Sequence, residues 1–337
     1  MELTQAFEEF RPEIEKELKD VIQESVSEEY PVLREMLSYH MGWEGEGAGQ
    51  QVQGKRIRPM LLLLSVDAAG GNWRQSLPAA AGVELLHNFS LIHDDVEDNG
   101  ELRHGRPTLW VKWGVPQAIN AGDLMFTVSN LAILKLRQSF RAAVVLQAQE
   151  LFQQTCVKLT QGQYLDMWHE HLDDLPLDAY WSMVAGKTAA LLACCTGMGA
   201  LLGGADSAMC AKYGQFGHLL GMAFQAQDDL LGIWGNEEVI GKSTSSDLYT
   251  KKKTLPVIFG LQQNGKFAER WLSGDVRLEE VSELAVLLEQ EGARRYTEQV
   301  AFDLTAKARK ALEEVLGGHQ TGKALQQLTN RLIGRQF

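Results

Sequence analysis

The chain has 337 residues, 45% of them hydrophobic, and a formal net charge of −12 at pH 7. This acidity argues against a nucleic-acid-binding protein, because contacts to phosphate backbones require a basic surface. The chain has only eight prolines, and its long proline-free stretches favour long helices over short, turn-punctuated strands. No linker or shift in composition marks a second domain, so we expect a single domain over residues 1–337.

The N-terminal sequence and the cysteines bear on the cellular compartment. The first 20 residues are rich in charge, unlike a secretory signal, and no apolar run reaches the roughly 20 residues that cross a bilayer. The four cysteines, at positions 156, 194, 195 and 210, lack the C-x-x-C spacing of a zinc site and read as reduced thiols. We therefore expect a cytoplasmic protein without a transmembrane segment.

Helical periodicity dominates the chain. It predicts an amphipathic surface helix over 2–27, a glycine-rich loop over 42–54, and long helices over 57–69, 77–98, 117–137, 141–169, 178–201 and 207–234. A polar, lysine-rich loop is expected over 236–254, followed by shorter helices over 255–262, 278–291, 293–314 and 319–334. Several middle helices are apolar nearly all round, which is typical of the centre of a helical bundle. The predicted fold class is all-α.

The predicted helix 77–98 ends in an acidic cluster. Asp94 and Asp98 lie one turn apart, within about 40° of each other around the helix, and His87 lies within about 20° of Asp94. Like charges at this spacing repel, and the helix macrodipole disfavours negative charge at a C-terminus. A hard cation would remove both penalties, so we interpret the cluster as a magnesium site; a solvated helix end is the alternative.

A second acidic pair, Asp228 and Asp229, interrupts an apolar helix, with Gln225 one turn before it. Buried charges are paired or bound to metal, so this pair also requires a partner. Basic residues occur at the start of a predicted helix (54–59), after the first acidic cluster (103–106) and in the lysine-rich segment (242–253). Because phosphate groups favour helix N-termini and Arg or Lys donors, the pattern predicts a site where metal ions and diphosphates neutralise each other.

These motifs, in this order and spacing, resemble the trans-isoprenyl diphosphate synthase (polyprenyl synthetase) family from about residue 54 to 258. The matching pieces are Gly54-Lys55-Arg56-Ile57-Arg58-Pro59, Asp94-Asp95-Val96-Glu97-Asp98, Arg103-His104-Gly105, Gly186-Lys187-Thr188, Phe224-Gln225-Ala226-Gln227-Asp228-Asp229, Lys242 and Lys252. The resemblance implies long, mostly antiparallel helices around a central active-site cavity, and usually a homodimer. It also implies a magnesium-dependent prenyltransferase that condenses isopentenyl diphosphate with an allylic diphosphate, head to tail.

The resemblance further implies a role for each matching residue. The diphosphate of isopentenyl diphosphate would bind Lys55, Arg58 and His87. Three magnesium ions would bind Asp94, Asp98 and Asp228, the last from the facing helix, with support from Asp95 and Asp229. The allylic diphosphate would bind these ions together with Arg103, Lys187, Gln225, Lys242 and Lys252, and Thr188 would lie beside the allylic carbons. Catalysis would rest on Asp94, Asp98, Asp228, Lys187 and Arg103.

In the resembling family, an aromatic residue five positions before the first aspartate motif goes with twenty-carbon products, and two adjacent aromatics go with fifteen. Phe89 followed by Ser90 matches the first pattern, so we expect geranylgeranyl diphosphate as the product. A farnesyl or longer-chain synthase is the alternative. An ordinary core position is the alternative role for Phe89.

The sequence departs from the family pattern at two positions. Gly232 stands where many members have a third aspartate in the second motif, and His104 replaces the second of two paired arginines as a weaker, pH-sensitive phosphate ligand. Two other functions are alternatives to a synthase. A class I terpene cyclase needs no second diphosphate site, and a non-catalytic synthase subunit tends to lose an aspartate motif, whereas the metal-binding aspartates are kept here.

Overall fold

The computed structural model describes residues 1–235, 246–317 and 322–334. Over these ranges the chain is mostly helical and has only two short strands, which confirms the predicted fold class. Lys242 and most of the predicted loop 236–254 lie outside the described residues.

The helices are α1 Leu3–Ser25, α2 Pro31–His40, α3 Ile57–Ala68, α4 Leu77–Glu97, α5 Leu109–Trp113, α6 Val115–Leu134, α7 Ala142–Glu170, α8 Leu177–Val184, α9 Ala190–Leu202, α10 Ser207–Trp234, α11 Ser246–Tyr249, α12 Leu255–Gln262, α13 Lys266–Leu272, α14 Val281–Gln290, α15 Ala293–Leu316 and α16 Lys323–Ile333. Single 3₁₀ turns occupy Trp73–Ser76, Lys135–Gln138 and Leu278–Glu280, and a π-helical turn, Ala185–Ala189, joins α8 to α9. Strands β1, Leu102–Arg103, and β2, Arg106–Pro107, form a minimal antiparallel hairpin.

The long helices and the short helix α12 agree with the prediction, whereas several other short elements were missed. Helices α2, α5 and α13 were not predicted, and α11 lies inside the predicted loop 236–254. The hairpin was also missed, because two residues per strand are too few to show alternation. Its turn consists of His104 and Gly105, both with positive φ, as two-residue hairpin turns of type I′ require.

The chain divides into two compact units. The first comprises Met1–Gln153, Met198–Cys210 and Gln320–Leu325, and the second comprises Gln154–Gly197, Ala211–His319 and Gln326–Phe337. The expectation of one domain over residues 1–337 remains a prediction.

In the first unit, α4 is the central helix and contacts α1, α3 and α6. Its apolar residues are buried almost all round, from Ala79 through Leu86. Helix α1 buries one face instead, through residues at spacings of three and four such as Phe10, Ile14 and Leu18. This is the amphipathic pattern that the sequence predicted.

In the second unit, two hydrophobic clusters organise the helices. One cluster centres on Phe267 and Trp271 of α13 and includes Leu284 and Leu288 of α14. The other brings Tyr180 of α8 together with residues of α10, α12 and α15. The continuous helical run 177–202 is long and apolar enough to span a membrane, but 67% of its most apolar window is buried inside the protein, as expected of a core helix.

The π-helical turn lies against a glycine of α7 in the second unit. A Cβ placed on Gly162 would lie 2.6 Å from the backbone carbon of Gly186 and would overlap the backbone of Lys187. The two backbones therefore approach as closely as they do only because both positions are glycine. Turns of this type recur at functional sites, and this one carries Lys187 and Thr188.

We expect Gly162→Ala to lower the free energy of unfolding by at least about 2 kcal/mol, because the new methyl meets backbone that cannot rotate away. Gly214→Ala is the matched control, since a Cβ there would meet only the carbonyl oxygen of Ala193, at 4.0 Å. That variant should gain roughly 0.5–1 kcal/mol from helix propensity. Denaturant unfolding measures both, and equal effects of the two substitutions would contradict the close contact.

Candidate active site

A basic pocket of about 110 Å³ lies in the first unit. Lys55, Arg58 and His87, which were predicted to bind one diphosphate together, all line it, and so do Arg103, which was predicted for the allylic diphosphate, and His104. His40, Arg56, Asn88 and Glu84 also line it and were not predicted. The pocket thus concentrates donors for an anion in a chain that is strongly acidic overall.

Arg56 holds together the segments that form this pocket. It is 3% exposed, and its guanidinium donates hydrogen bonds to Glu15 of α1 at 2.6 Å, to Glu84 of α4 at 2.8 Å and to the Met41 carbonyl at 3.4 Å. Burial opposes its charge, but the two glutamates keep its pKa above the ordinary value. Arg56 has a positive φ of 50° and precedes α3, so these bonds determine how the chain enters that helix. Lys55 and Arg58 lie on either side of this anchor.

His87 of α4 is held neutral in the pocket. Burial, followed by the nearby charges of Arg58 and Arg103, lowers its pKa well below the ordinary value. The same cations that disfavour a protonated imidazole favour a bound anion. The position suits the diphosphate-binding role that the resemblance implies.

The first aspartate motif divides into exposed and buried carboxylates. Asp98 is exposed and Asp94 is half-buried, whereas Asp95 is buried. Arg103 donates to both oxygens of Asp95, at 3.0 Å from Nε and 2.7 Å from Nη2. Burial raises the pKa of Asp95, against the effect of Arg103. Asp95 therefore holds Arg103 at the pocket.

The second motif repeats this division in the second unit. Asp228 is exposed, whereas Asp229 is buried and accepts hydrogen bonds from the Tyr180 hydroxyl at 2.6 Å, the Leu255 amide at 2.7 Å and the Gln225 amide at 2.8 Å. Burial raises the pKa of Asp229 to about 7, while the three donors favour its ionised form. Thr188 donates to Gln225 Oε1 at 2.8 Å, so Thr188, Gln225 and Asp229 form one chain of hydrogen bonds.

Asp166 is a carboxylate that sequence reasoning missed. It forms an ion pair with Lys187, and the side chains of both residues are about 30% exposed. Gly162 lies one turn before Asp166, and the Gly162–Gly186 contact brings α7 beside the turn that carries Lys187. Two glycines at a helix crossing are visible in sequence, but the fact that they meet is not.

The lysine run 251–253 has divided roles. Lys251 Nζ donates to the carbonyls of Trp271 and Gly274, both at 2.9 Å, and Lys253 Nζ donates to the His169 carbonyl at 3.0 Å. Lys252, the predicted phosphate ligand, is exposed. The two flanking lysines are therefore structural.

The carboxylate of Asp247 fills the space beside Gly232. A Cβ on Gly232 would overlap Asp247 Oδ2 and lie 3.4 Å from its Cγ. Gly232 is one turn after Asp228, so a carboxylate is present next to the third position of the second motif although the residue there is glycine. No sequence pattern pointed to Asp247.

The residues predicted to set chain length lie near the end of α4. The Phe89 ring contacts the rings of Phe126, at 5.0 Å, and His93, at 4.8 Å between centroids. Ser90 donates its hydroxyl to the His87 carbonyl at 2.8 Å. Both residues are half-buried.

Over the described ranges, no group of three or more Asp, Glu, His or Cys side chains is arranged to hold a metal alone. Magnesium does not require such a group, because it is commonly bound by one or two carboxylates together with substrate phosphates and water. The accessible carboxylates, Asp94, Asp98 and Asp228, have the chemistry for that role. Asp95 and Asp229 are instead committed to hydrogen bonds within the protein.

Comparison with known proteins agrees with these features. The sequence pattern of the family described as Polyprenyl synthetase matches residues 48–288. The chain belongs to this family.

The chain is 36% identical over 317 residues to the (2E,6E)-farnesyl diphosphate synthase of Mycobacterium bovis, covering 91% of this chain and 87% of that one. It is also 36% identical over 284 residues to the geranylgeranyl diphosphate synthase of Methanosarcina mazei, covering 84% and 86%. Among solved structures, the polyprenyl synthetase of Streptomyces coelicolor A3(2) superimposes with a TM-score of 0.85 at 32% identity, over 99% of both chains.

The contact between Gly232 and Asp247 predicts a coupling between the two positions. Gly232→Asp places a second carboxylate against the first, so it should destabilise the protein by roughly 1 kcal/mol or more. In an Asp247→Ala background the same substitution should be neutral or slightly stabilising, because Asp is a better helix former than Gly. Denaturant unfolding of the four proteins gives the coupling, and an identical effect of Gly232→Asp in both backgrounds would contradict it.

Proposed function

We propose that the protein is a magnesium-dependent isoprenyl diphosphate synthase that joins isopentenyl diphosphate to an allylic diphosphate, head to tail. The observation that carries the proposal is the basic pocket of the first unit, in a chain that belongs to the polyprenyl synthetase family. Lys55, Arg58 and His87 all line it, and Arg and Lys side chains are strong hydrogen-bond donors to phosphate oxygens.

The reaction requires one bond to break and one to form. The carbon–oxygen bond of the allylic diphosphate breaks, and the double bond of isopentenyl diphosphate attacks the resulting cation. Loss of one proton then yields an allylic diphosphate that is five carbons longer, with free diphosphate as the second product. The protein must therefore stabilise a leaving diphosphate and keep water away from a carbocation.

Magnesium, when bound, would neutralise the negative charge that develops on the leaving diphosphate. The chain's own residues divide the remaining work. Asp94, Asp98 and Asp228 would hold the metal, and Asp247 would add a carboxylate beside the position of Gly232. Lys187, Arg103, Gln225, Lys242 and Lys252 would bind the allylic diphosphate, and Thr188 would lie beside its allylic carbons.

The hydrogen bonds of the buried groups support this division. Asp95 orients Arg103, Asp166 orients Lys187, and Asp229 orients Gln225, so these three ligands are held by carboxylates before substrate arrives. Preorganised donors of this kind need not rearrange as charge develops. His104 lines the pocket beside Arg103 and would contribute to the site of isopentenyl diphosphate.

A class I terpene cyclase is the second candidate, because it also ionises an allylic diphosphate with aspartates and magnesium. The basic pocket favours the synthase, since a cyclase uses one diphosphate and has no need of a second site. Retained aspartates likewise favour an enzyme over a non-catalytic subunit.

We further propose a cytoplasmic homodimer. Helix α6 exposes four apolar side chains, Val115, Ile119, Leu131 and Leu134, each 41–45% accessible. Apolar side chains gathered on the exposed side of one helix are typical of a surface that a second copy covers.

The proposed product is geranylgeranyl diphosphate. Relatives at equal identity bear farnesyl and geranylgeranyl names, so overall similarity does not discriminate between the products. The local argument is that Phe89, packed against Phe126, forms part of the floor on which the growing chain ends, while small Ser90 leaves room beside it.

The metal proposal predicts that Asp94→Asn and Asp228→Asn lower turnover by about two orders of magnitude or more, because each removes a ligand of the ion that stabilises the leaving group. Turnover should also stop in the presence of a chelator and return with added magnesium. Asp303→Asn, at an exposed aspartate of α15, is the control and should behave as wild type. Near-normal turnover of either motif variant, with an unchanged melting temperature, would overturn the assignment.

The product proposal is tested by incubating the protein with isopentenyl diphosphate, magnesium and each allylic diphosphate in turn, followed by mass spectrometry of the products. Wild type should yield twenty carbons, Phe89→Ala longer chains because the floor is lowered, and Ser90→Phe fifteen carbons because the added ring closes the cavity earlier. Phe302→Ala, at an exposed phenylalanine of α15, should leave the length unchanged. Unchanged lengths in both pocket variants would place the floor elsewhere, whereas no condensation product in any mixture would refute the function itself.

A further inference from the structure

His40, the last residue of α2, lines the basic pocket beside the residues already assigned to it. Its ring forms a side-chain hydrogen bond with Asn88. The other ring nitrogen, Nε2, is buried and has no hydrogen-bond partner among the residues that the structure describes. A buried nitrogen of this kind costs free energy unless something binds it.

The backbone around His40 is held from both sides. Arg106, 8% exposed, donates from Nη1 to the Tyr39 carbonyl at 2.8 Å, and its other nitrogens donate to the carbonyls of Glu46 and Glu44 at 2.9 and 2.7 Å. Arg56 donates to the Met41 carbonyl at 3.4 Å. Two buried arginines therefore hold the carbonyls of the residues before and after His40, and they position the backbone that carries its ring.

The hydrogen bonds of Asn88 determine the tautomer of His40. The Asn88 amide nitrogen donates to the Glu84 carbonyl at 2.8 Å and to Glu84 Oε1 at 3.2 Å, so its oxygen is left to face the imidazole. The histidine nitrogen bonded to Asn88, Nδ1, must then carry the hydrogen. In the neutral ring Nε2 therefore carries a lone pair and no hydrogen. It repels a phosphate oxygen unless Nε2 takes up a proton.

Charged groups surround His40 on each neighbouring element. They are Lys55, Arg56 and Arg58 at the start of α3, Glu84 and His87 on α4, Arg103 and His104 on the hairpin, and Glu15 of α1 through its bond to Arg56. Burial, followed by Arg103 and Arg56, lowers the pKa of His40 to about 3, so the ring is neutral near pH 7. A diphosphate in this pocket would neutralise the same cations and would thereby raise the pKa of His40.

We propose that His40 is a further ligand of the diphosphate group, binding it as an imidazolium that donates from Nε2 to a phosphate oxygen. The proton comes from solvent, so occupation of the pocket takes up one proton at His40. This inference rests on the proposed function, in which the pocket binds the diphosphate of isopentenyl diphosphate. Between the low pKa of the free protein and the raised pKa of the complex, affinity falls as pH rises.

The proton uptake can be measured without catalysis. The full-length protein is titrated calorimetrically with inorganic pyrophosphate, in the presence of a chelator at about pH 8, in two buffers of different ionisation enthalpy. Protonation of pyrophosphate itself contributes equally to every protein and cancels between them. Compared with wild type, His40→Gln should take up about one proton fewer per site and bind about tenfold to a hundredfold more weakly. His171→Gln, at an exposed histidine, should match wild type in both respects.

A second readout separates binding from a structural role. His40→Gln should raise the KM for isopentenyl diphosphate by a similar factor and leave the KM for the allylic diphosphate within about twofold of wild type. If this variant does not fold, histidine NMR of the double variant His87→Gln/His104→Gln replaces it, because His40 is then the one pocket histidine left among the described residues. One histidine ring of the double variant should still change from neutral to protonated when pyrophosphate is added, and no such change would make the inference wrong.

The results for Arg58→Gln and His40→Gln distinguish a failure of the proposed function from a failure of the role assigned to His40. If wild type fails to bind pyrophosphate, or binds it equally well after Arg58→Gln, the pocket is not a diphosphate site and the proposed function loses its support. If binding depends on Arg58 while His40→Gln leaves proton uptake and the KM for isopentenyl diphosphate unchanged, His40 is a structural residue and the inference is wrong. A lower melting temperature with unchanged proton uptake has the same meaning.

Discussion

A buried charge has to be paired, and the basic pocket of this protein depends on one such pairing. Arg56 satisfies its guanidinium with Glu15 and Glu84, which belong to different helices, and with a backbone carbonyl of the segment after α2. Removing one partner of a buried pair leaves an uncompensated charge, so the arrangement locks α1, α3 and α4 together. The neighbours of Arg56 in sequence, Lys55 and Arg58, are thereby presented at a helix entrance, where an anion is favoured. Arg56, which has a structural role, thus lies in the same motif as Lys55 and Arg58, which are proposed to bind the anion.

The aspartate motifs obey the same constraint in a different way. Adjacent residues on a helix point about 100° apart, so two consecutive aspartates cannot share one environment. In each pair the first residue, Asp94 or Asp228, is more accessible, and the second, Asp95 or Asp229, is buried. The buried member binds a residue that the reaction would use: Arg103 in one case and Gln225 in the other. A paired aspartate motif therefore supplies both an accessible carboxylate for a cation and an internal anchor for a neighbouring ligand.

Sequence reasoning succeeded where a signal repeats along the chain, and it failed where the signal is a contact. The long helices show their periodicity over many turns, and motif order identified part of the pocket lining, namely Lys55, Arg58 and His87. The hairpin, with two residues per strand, is too short for periodicity to identify, although Gly105 in its turn is the residue type that positive φ favours. The partners Glu15, Asp166, Tyr180 and Asp247 could not be predicted, because each is an ordinary residue whose role depends on a distant segment. Gly232 is the clearest example. The sequence has glycine where many family members have a third aspartate, and the structure shows the Asp247 carboxylate beside that position.

The use of histidine in the basic pocket has an electrostatic reason. Arginine at the positions of His40 and His87 would keep its charge in the empty pocket, and each such charge would need another buried carboxylate in the manner of Arg56. Additional carboxylates would in turn repel a diphosphate and cancel the attraction. Histidine avoids this conflict because its charge depends on its surroundings: burial, together with the neighbouring arginines, keeps the ring neutral while the pocket is empty, and a bound anion would favour protonation. A chain with a net charge of −12 can in this way hold a strong anion site without burying a large excess of positive charge when no substrate is bound.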